Sequence, residues 1–330
     1  MMKNPIAVVT GGAGFIGSHT VDLLLKNNYK VRVIDNFSGG HESNLSDHVD
    51  NPNLTIFSED IRNLSSQSAI FKGAYSIFHF AGIGDIIPSI ENPVEYFEVN
   101  VLGTIRVLEC ARVSNVKKFL YAASSSCYGL ASTPTSENHS CNPEYPYAQS
   151  KYQGEQVAMH WASIYGIPVI SIRIFNAYGP RVRTTGAYGA VFGVFLKQKL
   201  ENKKLTVVGD GLQKRDFIYV TDVARAFHFA SESKRERVIY NLGGGSPQSI
   251  NYLVELLKGT VDYLPSRPGE PKVTWANIGK IQTDLNWMPE VSFEAGVGIM
   301  LENIKDWANA PLWNKKTIAT ATKSWFKYLR

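Results

Sequence analysis

Apolar residues in the first half of the chain come in short, nearly unbroken runs: IAVVT (6–10), KVRVID (30–35), LTIFSED (54–60), YSIFHFAG (75–82), KKFLYAAS (117–124) and PVISIRIF (168–175). They lack strict alternation of apolar with polar positions, which is the signature of strands covered on both faces, as in a parallel sheet. The stretches between them have helical length, with apolar residues recurring three and four positions apart. Two predicted helices stand out by their apolar stripes, about 93–114 and about 147–165. Strands alternating with helices imply right-handed crossovers and a doubly wound parallel α/β fold. After Asn176 the pattern weakens into Gly-rich turns, GPRVRTTGAYG (179–189), VGDGLQKRD (208–216) and NLGGGSPQ (241–248). The expected organisation is therefore a first domain over 1–176 and a smaller mixed α/β lobe over 177–330, with segments such as 215–242 returning to the first domain.

At 330 residues the chain can hold one large domain or two ordinary ones. Its 44% hydrophobic and 19% charged residues are those of a globular protein. A net charge of +5 adds little, because its most basic stretch is the C-terminal tail with Lys315, Lys316, Lys323, Lys327 and Arg330. Nucleic-acid binders cluster many more cations on one element, so a soft attraction to anionic ligands is all that follows. Trp325 and Phe326 in that tail are expected to pack on the C-terminal lobe, a membrane-surface role being the alternative. Cys110, Cys127 and Cys141 form no CxxC pair and read as reduced thiols, and no metal site is expected. No apolar run reaches membrane-spanning length and no leader is recognised, so the expected location is cytoplasmic.

The first chemistry lies between the first two strands. VVTGGAGFIGSH places Gly11, Gly14 and Gly17 at GxxGxxG spacing between a strand and a helix. Glycines there permit the tight turn and let backbone N–H groups approach a pyrophosphate at the helix N-terminus, as in Rossmann-type dinucleotide folds. A glycine triplet alone is weak. Here a second strand ends in Asp35, eighteen residues past Gly17, where an acid accepts from both ribose hydroxyls and repels a 2′-phosphate. The following NFSGGHESN loop offers no Arg for such a phosphate, so NAD is expected rather than NADP.

YPYAQSKYQGEQ puts Tyr147 and Lys151 four residues apart, on one face of a helix. A phenol titrates near pH 10 and is a poor base at neutrality, unless a neighbouring ammonium or an oxidised nicotinamide stabilises its anion. That would make Tyr147 a usable proton acceptor.

With these residues in place, the chain resembles the extended short-chain dehydrogenase/reductases that act on nucleotide sugars, most closely the UDP-hexose and UDP-N-acetylhexosamine 4-epimerases. The resemblance runs from TGGAGFIG through EDI, FHFAG, NVLGT, SSSCYG, YxxxK, RIFNAYGPR and RDFIYVTD to RPGEP and LNW. It implies a tightly bound NAD contacted by Phe15, Ile16, Asn36, Ser38, Asp60, Ile61, Phe80, Ala81, Gly82 and Phe175, with Asn100 ordering the catalytic helix. It implies a nucleotide-sugar substrate held by Asn176, Val191, Val207, Arg215, Arg267, Glu270 and Thr274, the arginines gripping the diphosphate as planar forks. The helices near 93–114 and 147–165 would pair across a two-fold axis into a homodimer.

The resemblance also gives AASSSCYG (122–129) a meaning. Related 4,6-dehydratases carry Asp-Glu where this chain has Ser125 and Ser126, and uronate decarboxylases carry a Glu in the place of Ser126. Hydroxyls can hold a sugar, and Ser124 can share a proton with Tyr147, but they do not drive elimination. Epimerisation at C4 through a transient ketone is the chemistry that remains. A uronate epimerase, a decarboxylase, dehydratase or net oxidoreductase with the same Tyr–Lys pair, and a non-catalytic NAD sensor are the alternatives. For the sugar, Thr274 stands where glucose-type enzymes resemble a Tyr, leaving room for an N-acetyl group. Arg183 is a candidate partner for a uronate carboxylate, and Gly84 replaces the Lys that glucose-type enzymes often carry.

Overall fold

The computed structural model describes residues 4–184 and 191–329. Its centre is a seven-stranded sheet of β1 (Ile6–Thr10), β2 (Lys30–Asp35), β3 (Leu54–Ser58), β4 (Ser76–His79), β5 (Lys118–Ser124), β6 (Val169–Ile174) and β7 (Val238–Leu242). The order is β7-β6-β5-β4-β1-β2-β3, and every neighbouring pair is parallel. The unbroken apolar runs follow from this, because both faces are covered. Ala7 and Val9 of β1 join one buried cluster, with α1 (Phe15–Lys26) and α4 (Val220–Glu232). Val8 faces the opposite cluster, with α2 (Thr104–Val113) and α3 (Pro146–Tyr165).

The second expected helix appears as α3, one residue longer than its apolar stripe and opened by Pro146 in the first turn. The first is interrupted. Helix Pro93–Phe97 passes into a wide π-type stretch, Glu98–Gly103, before α2. Such widened turns are frequent at functional sites, and this one turns Asn100 into the protein.

Beyond β6 the chain forms two-residue to four-residue strand pairs: Asn176–Tyr178 with Phe217–Tyr219, Lys214–Arg215 with Gln248–Ser249, and Leu205–Val208 with Val261–Leu264. These pack with short helices around a separate core in which Tyr178 stacks on Phe192 at 4.7 Å and Phe217 on Phe293 at 4.9 Å. Segment 215–242 is split between the two regions. Its end, β7, closes one edge of the large sheet beside β6. The Gly-rich segment after Gly179 runs into residues 185–190, outside the described residues, and Arg330 lies outside them too.

Candidate active site

Strand order reverses between β1 and β4, so their carboxyl ends flank a crevice of the kind where open α/β sheets bind ligands. Gly11 follows β1 with φ +69°, and a Cβ on it would stand 2.6 Å from the Ala81 nitrogen. A Cβ on Gly17 would stand 2.1 Å from the Gly11 carbonyl oxygen. Only glycine allows this approach. The first turn of α1 therefore opens directly on the crevice through Phe15, Ile16 and Gly17, with no side-chain cap at Gly14.

Asp35 ends β2 with its carboxylate already engaged: Oδ2 accepts from the Ala13 N–H at 2.9 Å and Oδ1 from the Phe37 N–H at 2.9 Å. Burial pushes its pKa upward against these bonds. Each oxygen keeps a second lone pair for a ribose hydroxyl. Next to it, Asn36 Oδ1 accepts from Ser38 Oγ at 2.7 Å, and Asn36 Nδ2 donates to Asp60 at 2.9 Å. Arg62 holds Asp60 through Nε and Nη2, lowering its carboxyl to about 2. Ile61 is buried against Gly103, where a Cβ would meet it at 2.6 Å.

Asn100 is 1% exposed and pins the far side of the crevice. Its Oδ1 accepts from the Ile83 N–H at 2.9 Å, and its Nδ2 donates to the Ile83 carbonyl at 3.0 Å and to Ser150 Oγ at 2.9 Å. One amide thus ties the loop after β4, Phe80–Gly84, to α3, the helix that carries Tyr147 and Lys151.

Ser124 ends β5, and its Oγ lies 2.8 Å from Ser126 Oγ, while the Ser126 N–H donates to it at 3.2 Å. Tyr147 reaches Ser124, and Tyr145 reaches Ser126. The Tyr147 ring is flanked by Tyr145, stacked at 6.3 Å, and by Tyr96, edge-on at 6.3 Å. Burial raises the Tyr147 phenol, and the contact opposing that rise comes from Ser124. Lys151 Nζ sits 4.6 Å over the Tyr121 ring, beside Gly82, and burial lowers it to about 8 while Glu155 holds it up.

On the other wall, Thr274 Oγ1 donates to Asn176 Oδ1 at 2.7 Å. Thr274 and Ser125 line one small cavity with Phe175 and Tyr128. Glu270 joins the two arginines, at 2.7 Å from Arg215 and 3.9 Å from Arg267. Arg267 lies 5.6 Å over the Trp325 ring, whose Nε1 donates to the Pro268 carbonyl at 2.8 Å, so this tail aromatic is buried beneath the site. Val191 begins helix Val191–Leu200, half-buried against the lobe core. Val207 requires a correction. It is 0% exposed, because its strand turns it into that core, and its side chain offers no surface to a ligand. Arg183 is exposed, and its charge acts on Asp85 and Tyr96.

The sequence motifs assign no role to Asp85 and Tyr96, nor to Tyr145, Glu155 and Arg173, although these three lie within YPYAQSKYQGEQ and RIFNAYGPR. Among the described residues, no group of three or more His, Cys, Asp or Glu is placed to hold a metal, and no helix is long and apolar enough to cross a membrane.

A profile of the NAD dependent epimerase/dehydratase family matches residues 7–243. The chain belongs to this family. It is 38% identical to a putative UDP-glucose 4-epimerase of Methanocaldococcus jannaschii over 88% of this chain and 95% of that one. A UDP-N-acetylglucosamine 4-epimerase from Methanobrevibacter ruminantium, solved with UDP-N-acetylmuramic acid, superposes with a TM-score of 0.86 at 32% identity, covering 93% of this chain and 99% of that one. A UDP-glucuronic acid 4-epimerase from Bacillus cereus, solved with UDP-glucuronic acid and NAD, gives 0.85 at 34% identity, over 91% and 99% of the two chains. NAD is the cofactor of this family, and the sub-3 Å glycine approaches and the Asp35 carboxylate fit a dinucleotide lying across the crevice.

Proposed function

We propose that the chain is a 4-epimerase of a UDP-linked sugar, acting on a neutral hexose or an N-acetylhexosamine. The observation that carries this reading is the end of β5: three adjacent hydroxyls, Ser124, Ser125 and Ser126, of which Ser124 meets Tyr147, stand where elimination or decarboxylation chemistry would call for a carboxylic acid. Bound NAD supplies hydride removal from the sugar and its return. Tyr147 takes the C4 hydroxyl proton, with Ser124 placed to share it. Lys151, lowered by burial to about 8, still carries its positive charge at neutral pH and is positioned for the nicotinamide ribose. The hydroxyls let the resulting ketone turn and present its other face, and Tyr147 returns the proton.

Arg215 and Arg267 serve the diphosphate, with Glu270 holding both in place. Residues 1–176, joined by parts of 215–242, hold NAD, and the remainder holds the substrate. Val94, Leu102, Val113, Ile164 and Tyr165 stay exposed on and around α2 and α3, which supports a homodimer through these helices. Arg183 supports a uronate as the second reading.

The test is incubation with UDP-glucose, UDP-N-acetylglucosamine and UDP-glucuronate without added NAD, with products identified by NMR. A 4-epimer formed without accumulating NADH is expected. Stoichiometric NADH would make the protein a dehydrogenase, and a pentose or an unsaturated or deoxy product would make it a decarboxylase or dehydratase.

A further inference from the structure

Asp85 precedes helix Ile86–Glu91, on the loop after β4, and that helix packs against α3, which carries Tyr147. Its backbone, φ 75° and ψ 124°, lies where residues other than glycine are rarely found, and such strain persists only when the surroundings impose it. They do so here. Asn100 holds both the N–H and the carbonyl of Ile83, and the Tyr96 hydroxyl donates to the Gly84 carbonyl. The Tyr96 ring in turn stands edge-on to Tyr147. Gly84 is exposed, and nothing lies within 4 Å of where its Cβ would be, so the loop borders open cleft.

Asp85 itself is half-buried, and among the described residues its carboxylate has no hydrogen-bond or close ion-pair partner. Burial pushes its pKa up, Arg183 opposes this, and its own charge raises the phenols of Tyr96 and Tyr147. A half-buried carboxylate that takes no protein donor is free to accept one from a ligand. Its charge reaches Tyr147, so that acceptor stands within electrostatic range of the phenol.

We propose that Asp85 contacts the sugar, its carboxylate accepting a hydrogen bond from a hydroxyl or amide N–H and excluding a sugar that presents a carboxylate there. This rests on the nucleotide-sugar reading above and narrows it. An ionised carboxylate only accepts, so its ligand must donate. A uronate would bring like charge against it, and the charge of Arg183 already acts on Asp85. Discrimination then comes from a repulsive element as well as an attractive one.

The test uses the NAD-loaded protein and two variants. Asp85→Asn keeps size and removes the charge, and Asp85→Gly relieves the backbone altogether. UDP, UDP-N-acetylglucosamine and UDP-glucuronate are titrated into each by calorimetry. UDP affinity should be unchanged. UDP-N-acetylglucosamine should bind about tenfold more weakly, the loss expected for a hydrogen bond to a charged group, and UDP-glucuronate should bind more tightly. Shifts of opposite sign from one substitution cannot arise from general damage to the fold. Unchanged affinities, or shifts of the same sign for both sugars, overturn the proposal even if the wild type epimerises. Opposed shifts without any epimerised product uphold Asp85 and sink the assigned activity. Failure of the wild type to bind either UDP-sugar overturns both.

Discussion

Glu155 and Arg173 form an ion pair that is almost wholly withdrawn from water, with side chains 3% and 5% exposed. Arg173 Nη2 donates to Glu155 Oε1 at 2.5 Å and Nε to Oε2 at 3.0 Å, while Ser171 Oγ donates to Oε2 at 2.8 Å. In Glu155→Gln the guanidinium stays buried and charged, and it keeps only one neutral amide oxygen and the Tyr128 hydroxyl, 2.7 Å from Nη1, as close acceptors. The substituted amide also turns donors towards donors. Breaking one side of a buried pair costs about 3–5 kcal/mol, which urea unfolding followed through the buried Trp287 and Trp307 should register. Glu155→Leu combined with Arg173→Met removes both charges at similar volume, so most of the loss should return.

A second readout separates this pair from inert packing. The Glu155 charge holds Lys151 up against burial, at about 8. Without it the ammonium is harder to keep, the Lys151 pKa falls further, and the alkaline limb of the kcat/KM profile should move to lower pH. A destabilisation below about 1 kcal/mol, the level of a surface pair, would refute the reasoning, as would a double variant no better than the single one.

Tyr147→Phe keeps the ring contacts with Tyr96 and Tyr145 but loses the proton acceptor, so turnover should fall roughly 10²–10⁴-fold with UDP affinity intact. Near-normal rates would assign the proton to another group. Gly17→Ala drives a Cβ to within 2.1 Å of the Gly11 oxygen, backbone against backbone. It should abolish co-purified NAD, measured after acid extraction, and cost about 1–3 kcal/mol of stability. Thr274→Tyr fills the cavity shared with Ser125 and breaks the bond to Asn176. N-acetylhexosamine turnover should drop far more than glucose turnover in a competition assay, and equal losses would place Thr274 away from the sugar C2.

Much of this architecture is legible in the chain because its signals are local. Unbroken apolar runs report coverage on both faces, and the glycine spacing reports a backbone approach that the Gly11 and Gly17 geometry displays. Legibility ends where contacts join distant segments. Glu155 and Arg173 sit in separate runs, YQGEQ and ISIRIF, and neither hints that the two share a buried fork. The apolar stripe over 93–114 is continuous, so nothing in it marks the widening at Asn100. Val207 was placed against the substrate by resemblance, whereas strand direction decides which way its side chain points. Asp85 is a single acid in a loop, and its importance comes from Tyr96, Asn100 and Tyr147 converging on that loop.

The Asp35 carboxylate has a consequence for anyone wishing to change the coenzyme. It anchors the N–H groups of Ala13 and Phe37, one in the glycine turn and one in the loop after β2. Exchanging it for a small neutral residue would clear space for a 2′-phosphate and, in the same stroke, orphan two amides that shape the crevice. On the reading that Asp35 takes the adenine ribose, coenzyme preference and crevice architecture rest on the same two oxygen atoms. A redesign for NADP has to return acceptors to Ala13 and Phe37 as well as add a cation.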